Sequence, residues 1–457
     1  MKLVGGAVAL ESIIKTISGS IDSIRGLYIP VRIKFFIGHG VASLWVVLSV
    51  LISLPWLTDL SQHVTLPAAL LIISGIAYVP GYLNAMLVTS LLMDRQPKFK
   101  VDSPGNEVTV LIAAWNEEAV IESTLTYIKN QDYEGNIKII VIDNNSTDNT
   151  FEKAFETGKE LDLDLSVIKE SNPGKFNALN AGLRQVTTDL VLTIDADTLL
   201  HKSALRHIVA RIESTPSDVC AVAGSVLVKN SRENLLSRIQ EWDYFLGIAS
   251  IKRYQGLYQG TLVAQGAFSL YKTDALKLVG GWPDAIGEDI VLTWNFLKNN
   301  KKVYFEPLAV AFTEVPSKLK HFARQRSRWA RGMIEALKIV KPWQQPQAYT
   351  KYLTGVNLVM PYLDFVYTFC WIPGLILCLF GHFYIVGPMT LFVLPLTFIS
   401  YCILYIYQKN IFKNLNLKVR KNAAGFILFV LMYQIIMSPV SVWGYFQEAF
   451  SLKRKWK

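Results

Sequence analysis

Long apolar stretches at both ends of the chain constrain its fold more than any other feature. Two of them, at residues 35–56 and 64–93, precede a more polar region, and three more follow it at residues 353–380, 383–407 and 424–446. A helix of roughly 20 apolar residues crosses the hydrocarbon core of a bilayer. The sequence therefore predicts two transmembrane helices, a soluble domain and three further transmembrane segments.

The predicted organisation follows from these stretches. It comprises an N-terminal segment (1–34), two transmembrane helices (35–93), a soluble domain (105–315), an amphipathic interface helix (316–345), three transmembrane segments (353–446) and a basic tail (447–457). Apolar residues recur at helical spacing over residues 3–27, which predicts a helix lying on the membrane surface or docked on the protein itself.

Basic residues near the apolar stretches indicate the orientation. Five lysines and arginines precede Phe35, whereas residues 57–63 and 381–382 contain none. Because such residues are retained on the cytoplasmic face, the N-terminus and the central domain are predicted to be cytosolic. The basic residues 453–457 disagree, since five full spans would leave them outside. Either one C-terminal segment is re-entrant, or the tail lies outside.

The net charge of +10 does not indicate a nucleic-acid partner, because lysine and arginine flank the apolar stretches rather than forming a separate basic domain. They are typical of charges beside a lipid bilayer. The four cysteines and six histidines show neither a disulfide framework nor metal-ligand spacing.

Short β-rich runs alternate with helical patterns in the central domain. They lie at residues 108–113, 137–142, 164–168 and 190–194. This alternation predicts an α/β domain with a mostly parallel sheet, whose ligands bind beyond the carboxyl ends of the strands. Polar clusters follow three of these runs, beginning at Asn116-Glu117, Asp143 and Asp195. Each alone could cap a helix, but three in succession favour one crevice.

Two carboxylates two residues apart, Asp195 and Asp197, can approach one divalent cation, with a diphosphate supplying further oxygens. Lys175 follows Gly174 in a loop and can reach a phosphate or a base. Asp289 precedes a helical pattern, where it either caps the helix or acts as a general base. Its neighbour Glu288 is the weaker candidate for that base.

A helix predicted from Pro316 to Val340 carries Gln325, Arg328 and Trp329 on one face. Arg328 suits a diphosphate, and Trp329 can stack on a sugar. The alternative is a basic helix lying on anionic lipid, and both can hold at once. Its other basic residues are Lys318, Lys320, Arg324, Arg326, Arg331, Lys338 and Lys341.

Taken in order, the segments AWNEE, DNNSTD, GKFNALNAG, IDADT, GED and QRSRW resemble the signature of the processive family 2 glycosyltransferases. This group includes cellulose, chitin, hyaluronan and poly-N-acetylglucosamine synthases. The resemblance covers roughly residues 105–345, and the stretch from IQEWDYFLG to QRSRWARG is most similar to bacterial poly-β-1,6-N-acetylglucosamine synthases. It implies a nucleotide-sugar-binding domain of the GT-A type between N- and C-terminal transmembrane helices.

The resemblance also implies roles for individual residues. Asp143 and the backbone near Ala114 would contact uracil, and Asn116, Glu117 and Lys175 would belong to the donor site. Asp195 and Asp197 would hold the nucleotide and Mg²⁺ or Mn²⁺, and Asp289 would be the base of an inverting transfer. The remaining residues would complete the donor site (Gln325, Arg328) and the acceptor site (Trp329, Gln265, Glu288). Relatives often have serine or glycine where this chain has Gln265.

The function implied is processive transfer of a sugar, best represented by N-acetylglucosamine from UDP-N-acetylglucosamine, to a growing glycan that is exported through a membrane channel. The implied setting is the bacterial plasma membrane, with a small accessory membrane subunit as a further partner. Asp364, inside an apolar segment, would face the pore or be a paired carboxylate. The alternatives are a non-processive enzyme that glycosylates a lipid, as ceramide glucosyltransferases do, and an inactive transport or scaffold subunit.

Overall fold

The computed structural model describes residues 29–388, 390 and 393–452. The predicted helix over residues 3–27 and the basic residues 453–457 lie outside them. In chain order the elements are α1 (Val31–His63), α2 (Leu66–Leu92), β1 (Val108–Ala114), α3 (Ile121–Lys129), β2 (Ile137–Asp143), α4 (Thr150–Glu160), β3 (Leu165–Lys169), α5 (Lys175–Leu183), β4 (Leu190–Asp195), β5 (Leu199–Leu200), α6 (Ala204–Glu213), β6 (Val219–Val228), α7 (Leu235–Trp242), a π-helix (Asp243–Ile248), α8 (Ala249–Leu257), β7 (Phe268–Lys272), α9 (Thr273–Leu278), α10 (Glu288–Lys298), β8 (Lys302–Thr313), α11 (Leu319–Ile339), α12 (Ala348–Leu379), α13 (Val393–Asn414) and α14 (Ala423–Ala449).

The chain divides into two compact units. One takes in the described residues of 1–96, 359–421 and 431–442, and the other those of 97–358, 422–430 and 443–457. Four helices in the described part of the chain, α1, α2, α12 and α14, are long and apolar enough to cross a membrane. The segment predicted at residues 383–407 overlaps α13, which is not among these four. The number of membrane crossings therefore stays a prediction.

Within the first unit the helices pack through small residues and a few hydrogen bonds. Gly38 of α1 lies so close to α2 that a Cβ there would stand 2.5 Å from the sulfur of Met86. Ser438 donates a hydrogen bond of 2.9 Å to the Asp364 carboxylate. This hydrogen bond between helices satisfies an acidic group in an apolar segment, and both alternatives for Asp364 stay predictions.

The second unit is built around one eight-stranded sheet with the order β3-β2-β1-β4-β7-β6-β8-β5. The four predicted strands, β1 to β4, are all present and pair in parallel. Strand β7 is antiparallel to β4 and β6, so the sheet is mixed but mostly parallel, as predicted. Helices flank it, and β1 is buried along nearly its whole length because apolar and β-branched residues fill it.

The strand register brings the sequence clusters to one edge. Ala114, the last residue of β1, stands opposite Asp143, the last residue of β2. On the other side of β1, Ala113 stands opposite Asp195, the last residue of β4. The parallel pairing therefore aligns the carboxyl ends of three strands, where an open α/β sheet binds its ligands.

Candidate active site

Hydrogen bonds connect the loop after β1 with the loop after β2. The side-chain oxygen of Asn116 accepts a 2.7 Å hydrogen bond from the Thr147 backbone, and the backbone N–H of Asn116 donates to Ser146. The backbone N–H of Glu117 donates to Thr150 at 2.8 Å. Asn116 adopts a left-handed conformation (φ 58°), which asparagine tolerates better than most residues. Through these bonds Asn116 and Glu117 hold the two loops together beside the buried Asp143.

Lys175 places a positively charged side chain at the carboxyl edge of the sheet. It begins α5 directly after Gly174, whose φ of 134° lies where L-residues are strained. Its ammonium forms an ion pair with Asp195. Burial alone would lower the pKa of Lys175, but Asp195, Glu288 and Asp289 outweigh burial and raise it to about 12. A permanent positive charge therefore stands among three carboxylates.

Asp197 lies two residues beyond Asp195 and accepts a 3.3 Å hydrogen bond from Thr313 at the end of β8. Burial, reinforced by the charge of Asp195, raises the pKa of Asp197 to about 6. A divalent cation would relieve both effects, since it prefers oxygen ligands and neutralises their charge. Among the described residues, no group of three or more His, Cys, Asp or Glu side chains gathers as metal ligands. A cation held by Asp195 and Asp197 would therefore need further oxygen ligands, which a diphosphate can supply.

Glu288 and Asp289 begin α10. Burial and the charge of Asp289 raise the pKa of Glu288 to about 7, while Lys175 and Arg328 oppose that rise. Asp289 accepts a 2.8 Å hydrogen bond from the backbone N–H of Ile290, so its carboxylate also satisfies a backbone donor in the first turn of α10. The acidic start of α10 and Arg328 of α11 therefore belong to one electrostatic cluster with Lys175.

The N-terminus of α10 and the helix α11 meet through two glycines. A Cβ on Gly332 would stand 2.9 Å from the backbone nitrogen of Gly287, and a Cβ on Gly287 would stand 3.0 Å from the Gly332 carbonyl oxygen. The Glu335 carboxylate also accepts a 2.6 Å hydrogen bond from the Ile286 backbone. These contacts fix the position of Asp289 relative to the QRSRW segment.

The three predicted residues of α11 differ in exposure. Arg328 and Trp329 are exposed, while Gln325 is half-buried. The side-chain amide oxygen of Gln325 is buried and has no hydrogen-bond partner in the described part of the chain. A buried amide oxygen of this kind can accept a hydrogen bond from a ligand hydroxyl. The helix begins at Leu319 and ends at Ile339, close to the predicted bounds.

Two of the basic residues assigned to a lipid-facing surface are instead buried. Arg326 forms a 2.9 Å ion pair with Asp243, and Arg331 forms a 3.0 Å ion pair with Glu448. Their carboxylate partners come from elements far along the chain. The alternative of a basic helix lying on lipid is therefore wrong for Arg326 and Arg331, because a paired and buried guanidinium is not available to a lipid headgroup.

Gln265 lies in the segment 263–268, the predicted acceptor side. Its amide nitrogen donates to the Gly224 carbonyl at 2.9 Å, and its amide oxygen accepts from the ammonium of Lys252. The next residue, Gly266, is so close to Lys175 that a Cβ would stand 2.7 Å from the ammonium nitrogen. Both ends of the Gln265 amide are thus used within the protein, and the neighbouring Gly266 lies against Lys175.

Lys252, Asp243 and Glu335 were not recognised from the sequence. Each is buried, and each holds an element of the site. Asp243 and Lys252 stand in the largely apolar stretch WDYFLGIASIK. A charged residue in such a stretch was the available signal, since buried charges are rarely unpaired.

The fold, the clustered carboxylates with their lysine and arginine, and the flanking apolar helices define a class of nucleotide-sugar transferase. Residues 104–332 match the family described as "Glycosyltransferase like family 2". The chain belongs to this family.

More particular similarities follow. The chain is 34% identical over 246 residues to the poly-beta-1,6-N-acetyl-D-glucosamine synthase of Staphylococcus aureus. The aligned region makes up 54% of this chain and 58% of that protein. It is also 34% identical over 231 residues to the synthase of the same name from Staphylococcus epidermidis. That aligned region makes up 50% of this chain and 55% of the relative. The alignment thus spans somewhat more than half the length of these relatives.

Among solved structures, the mannosyltransferase PcManGT from Pyrobaculum calidifontis, in complex with GDP-Man and Mn²⁺, is similar with a TM-score of 0.57. It is 19% identical, and the alignment covers 84% of this chain and 98% of that one. This similarity confirms the predicted fold, in which a GT-A-type domain is combined with apolar N- and C-terminal helices.

Proposed function

We propose that the chain transfers N-acetylglucosamine from UDP-N-acetylglucosamine to a growing polysaccharide, with inversion at the anomeric carbon. The observation that carries this proposal is the cluster of Lys175, Asp195, Glu288, Asp289 and Arg328 at the carboxyl edge of the sheet. The similarity to the staphylococcal synthases favours this sugar and a polymeric product.

In the proposed reaction the donor lies across the strand ends. Ala114 and Asp143 line the uracil end, and the cations of Lys175 and Arg328 bind the diphosphate. Asp195 and Asp197 would hold Mg²⁺ or Mn²⁺, which when bound neutralises charge on the departing diphosphate. Gln325 accepts a hydrogen bond from the donor through its buried oxygen.

Asp289 acts as the general base. Its carboxylate takes the proton from the acceptor hydroxyl, whose oxygen forms a bond to the anomeric carbon as the bond from that carbon to the diphosphate oxygen breaks. UDP leaves with that electron pair, and attack from the opposite face inverts the configuration. Trp329 stacks on the sugar at the end of the acceptor, with Glu288 and the Gln265 segment beside it.

The proposed setting is the bacterial plasma membrane, with the eight-stranded sheet and its flanking helices in the cytosol and the four long apolar helices in the bilayer. Because a polar glycan does not cross hydrocarbon unaided, we propose that these helices form its export passage. A small accessory membrane subunit belongs to the same proposal.

The test is a screen of UDP-N-acetylglucosamine, UDP-glucose and GDP-mannose with the purified full-length protein and Mg²⁺ or Mn²⁺. Nucleotide release and product length are followed together. We expect UDP-N-acetylglucosamine to give the fastest release and a polymeric product. A singly glycosylated lipid would instead support a non-processive enzyme, and no release with any donor would support a transport or scaffold subunit. In an active protein, Asp289→Asn should abolish turnover and spare donor binding.

A further inference from the structure

Arg326 is the second residue of the QRSRW segment, yet it is only 2% exposed. Its guanidinium carbon stands 4.1 Å from the ring centroid of Trp329, 5.2 Å from that of Phe322 and 5.6 Å from that of Tyr244. Trp329 lies three residues further along the same helix and is 37% exposed. The guanidinium therefore covers part of the Trp329 ring and leaves the rest of the ring available to a ligand.

Asp243 forms an ion pair with the guanidinium. It is the first residue of the π-helix between α7 and α8, and its carboxylate oxygen lies 2.9 Å from a terminal nitrogen of Arg326. Both side chains are buried. A π-helical turn within a helix is uncommon and is frequent at functional sites.

Stability alone does not explain this ion pair. Burying two charges costs several kcal/mol per ion, and apolar residues of similar volume are often neutral or stabilising replacements. A planar guanidinium, by contrast, stacks on an aromatic ring in a defined orientation, which an apolar chain cannot do. The pair therefore has a geometric consequence, namely the orientation of the Trp329 ring.

The same cluster adjoins the donor side. Burial raises the pKa of Tyr244 to about 12; the charge of Arg326 opposes this rise, and the charges of Asp243, Asp197 and Asp195 add to it. Tyr244 therefore lies within electrostatic range of the proposed metal-binding carboxylates. Tyr244 thus feels the charges of those carboxylates and also lies beside the guanidinium of Arg326.

We propose that Arg326, anchored by Asp243, is a positioning residue that sets the ring plane of Trp329 and thereby the pose in which the terminal acceptor sugar stacks. This inference rests on the proposed function, because it takes Trp329 as the acceptor contact. A cation over an aromatic ring at a partly desolvated site corresponds to roughly a tenfold effect on an equilibrium.

The experiment uses the full-length protein with UDP-N-acetylglucosamine and a β-1,6-linked N-acetylglucosamine pentasaccharide as acceptor. Arg326→Lys keeps the charge and removes the planar stacking group. We expect its KM for the pentasaccharide to rise about tenfold and its product to shorten, while the KM for the donor and the affinity for UDP stay unchanged. Arg324→Lys, an exposed change on the same helix, is the matched control and should leave every value unchanged.

A double-mutant cycle with Trp329→Ala separates positioning from general stability. If Arg326 acts through the tryptophan, the double variant should have the same acceptor KM as Trp329→Ala alone. Fully additive losses, or equal rises in donor and acceptor KM, would overturn the inference. An unchanged acceptor KM in Trp329→Ala would overturn the acceptor role in the proposed function as well.

Folding is controlled with an apolar pair. Arg326→Met combined with Asp243→Leu removes both charges together and should retain the wild-type melting temperature. We still expect the higher acceptor KM in this variant. A folded apolar pair with a wild-type acceptor KM and wild-type product length would overturn the inference.

Discussion

Replacing Gly332 by alanine should reduce the reaction rate although the residue is not among those proposed to bind the substrates. Gly332 lies in α11, and the added Cβ would stand 2.9 Å from the nitrogen and 3.0 Å from the Cα of Gly287. Both neighbours are backbone atoms, which cannot turn aside as a flexible side chain can. Ordinary contacts between such atoms lie at about 3.5 Å or more, so Gly287 must move by roughly 0.5 Å.

This displacement reaches the proposed base because Asp289 follows Gly287 by two residues at the start of α10. A misplacement of about 1 Å at a reacting group can cost roughly 100-fold in rate, so half that displacement corresponds to a loss of about tenfold in kcat. The free energy of unfolding should fall by no more than about 2 kcal/mol. Alanine gains about 1 kcal/mol over glycine in a helix, which offsets an overpacking cost of about 1–3 kcal/mol.

The assay measures UDP release with the acceptor at saturation, together with the melting temperature. Gly355→Ala is the matched control, since its Cβ would meet no atom within 4 Å in the described part of the chain. It should keep the wild-type kcat. A wild-type kcat in Gly332→Ala would refute the reasoning, because it would show that the close contact between α10 and α11 does not position the base.

Three further predictions concern the metal, the pH and the C-terminal helix. Asp197→Asn should weaken Mn²⁺ binding in the presence of UDP by tenfold or more, as measured by calorimetry, whereas Glu107→Gln, a change at an exposed carboxylate, should not. Burial lowers the pKa of Lys252 from its usual 10.5 to about 7, although the charge of Asp289 opposes this shift. Between these two pH values the Lys252 amine is protonated in the unfolded chain and neutral in the folded protein, so the folded state becomes more stable as the pH rises. The melting temperature of the wild type should therefore rise relative to that of Lys252→Met between about pH 7 and pH 10. A constant difference would contradict this. Glu448→Ala leaves the buried Arg331 without its carboxylate and should lower the free energy of unfolding by roughly 3 kcal/mol, whereas Lys338→Ala, which removes the more exposed partner of the same carboxylate, should cost much less. Equal losses in chemical denaturation would contradict that assignment.

Much of the second unit could be predicted from local sequence. The strands β1 to β4 coincide with the predicted runs because apolar, β-branched segments bounded by turns form buried parallel strands. The positions of Asp143 and Asp195 at strand ends followed from the same pattern. Strands β6, β7 and β8 were not predicted individually. The antiparallel pairing of β7 with β4 joins segments far apart along the chain, and local propensity does not encode such pairing.

The burial of charged residues was the main feature that the sequence did not reveal. Arg326 and Arg331 follow the helical spacing of a basic surface, yet each is buried against a carboxylate from a distant element. Gln265 was predicted to contact the acceptor, and the structure gives its amide two partners within the protein. Spacing identifies which face of a helix a residue occupies, but it does not identify what covers that face.

The sequence by itself determined the family, the parallel half of the sheet and the order of the acidic and basic clusters. These features depend on hydrophobic periodicity and on residues that lie close together along the chain. Only the tertiary structure decided which charges are paired in the interior and which stay available to a ligand. The physical reason is that the cost of burying a charge depends on its partner, and here the partners come from elements distant in sequence.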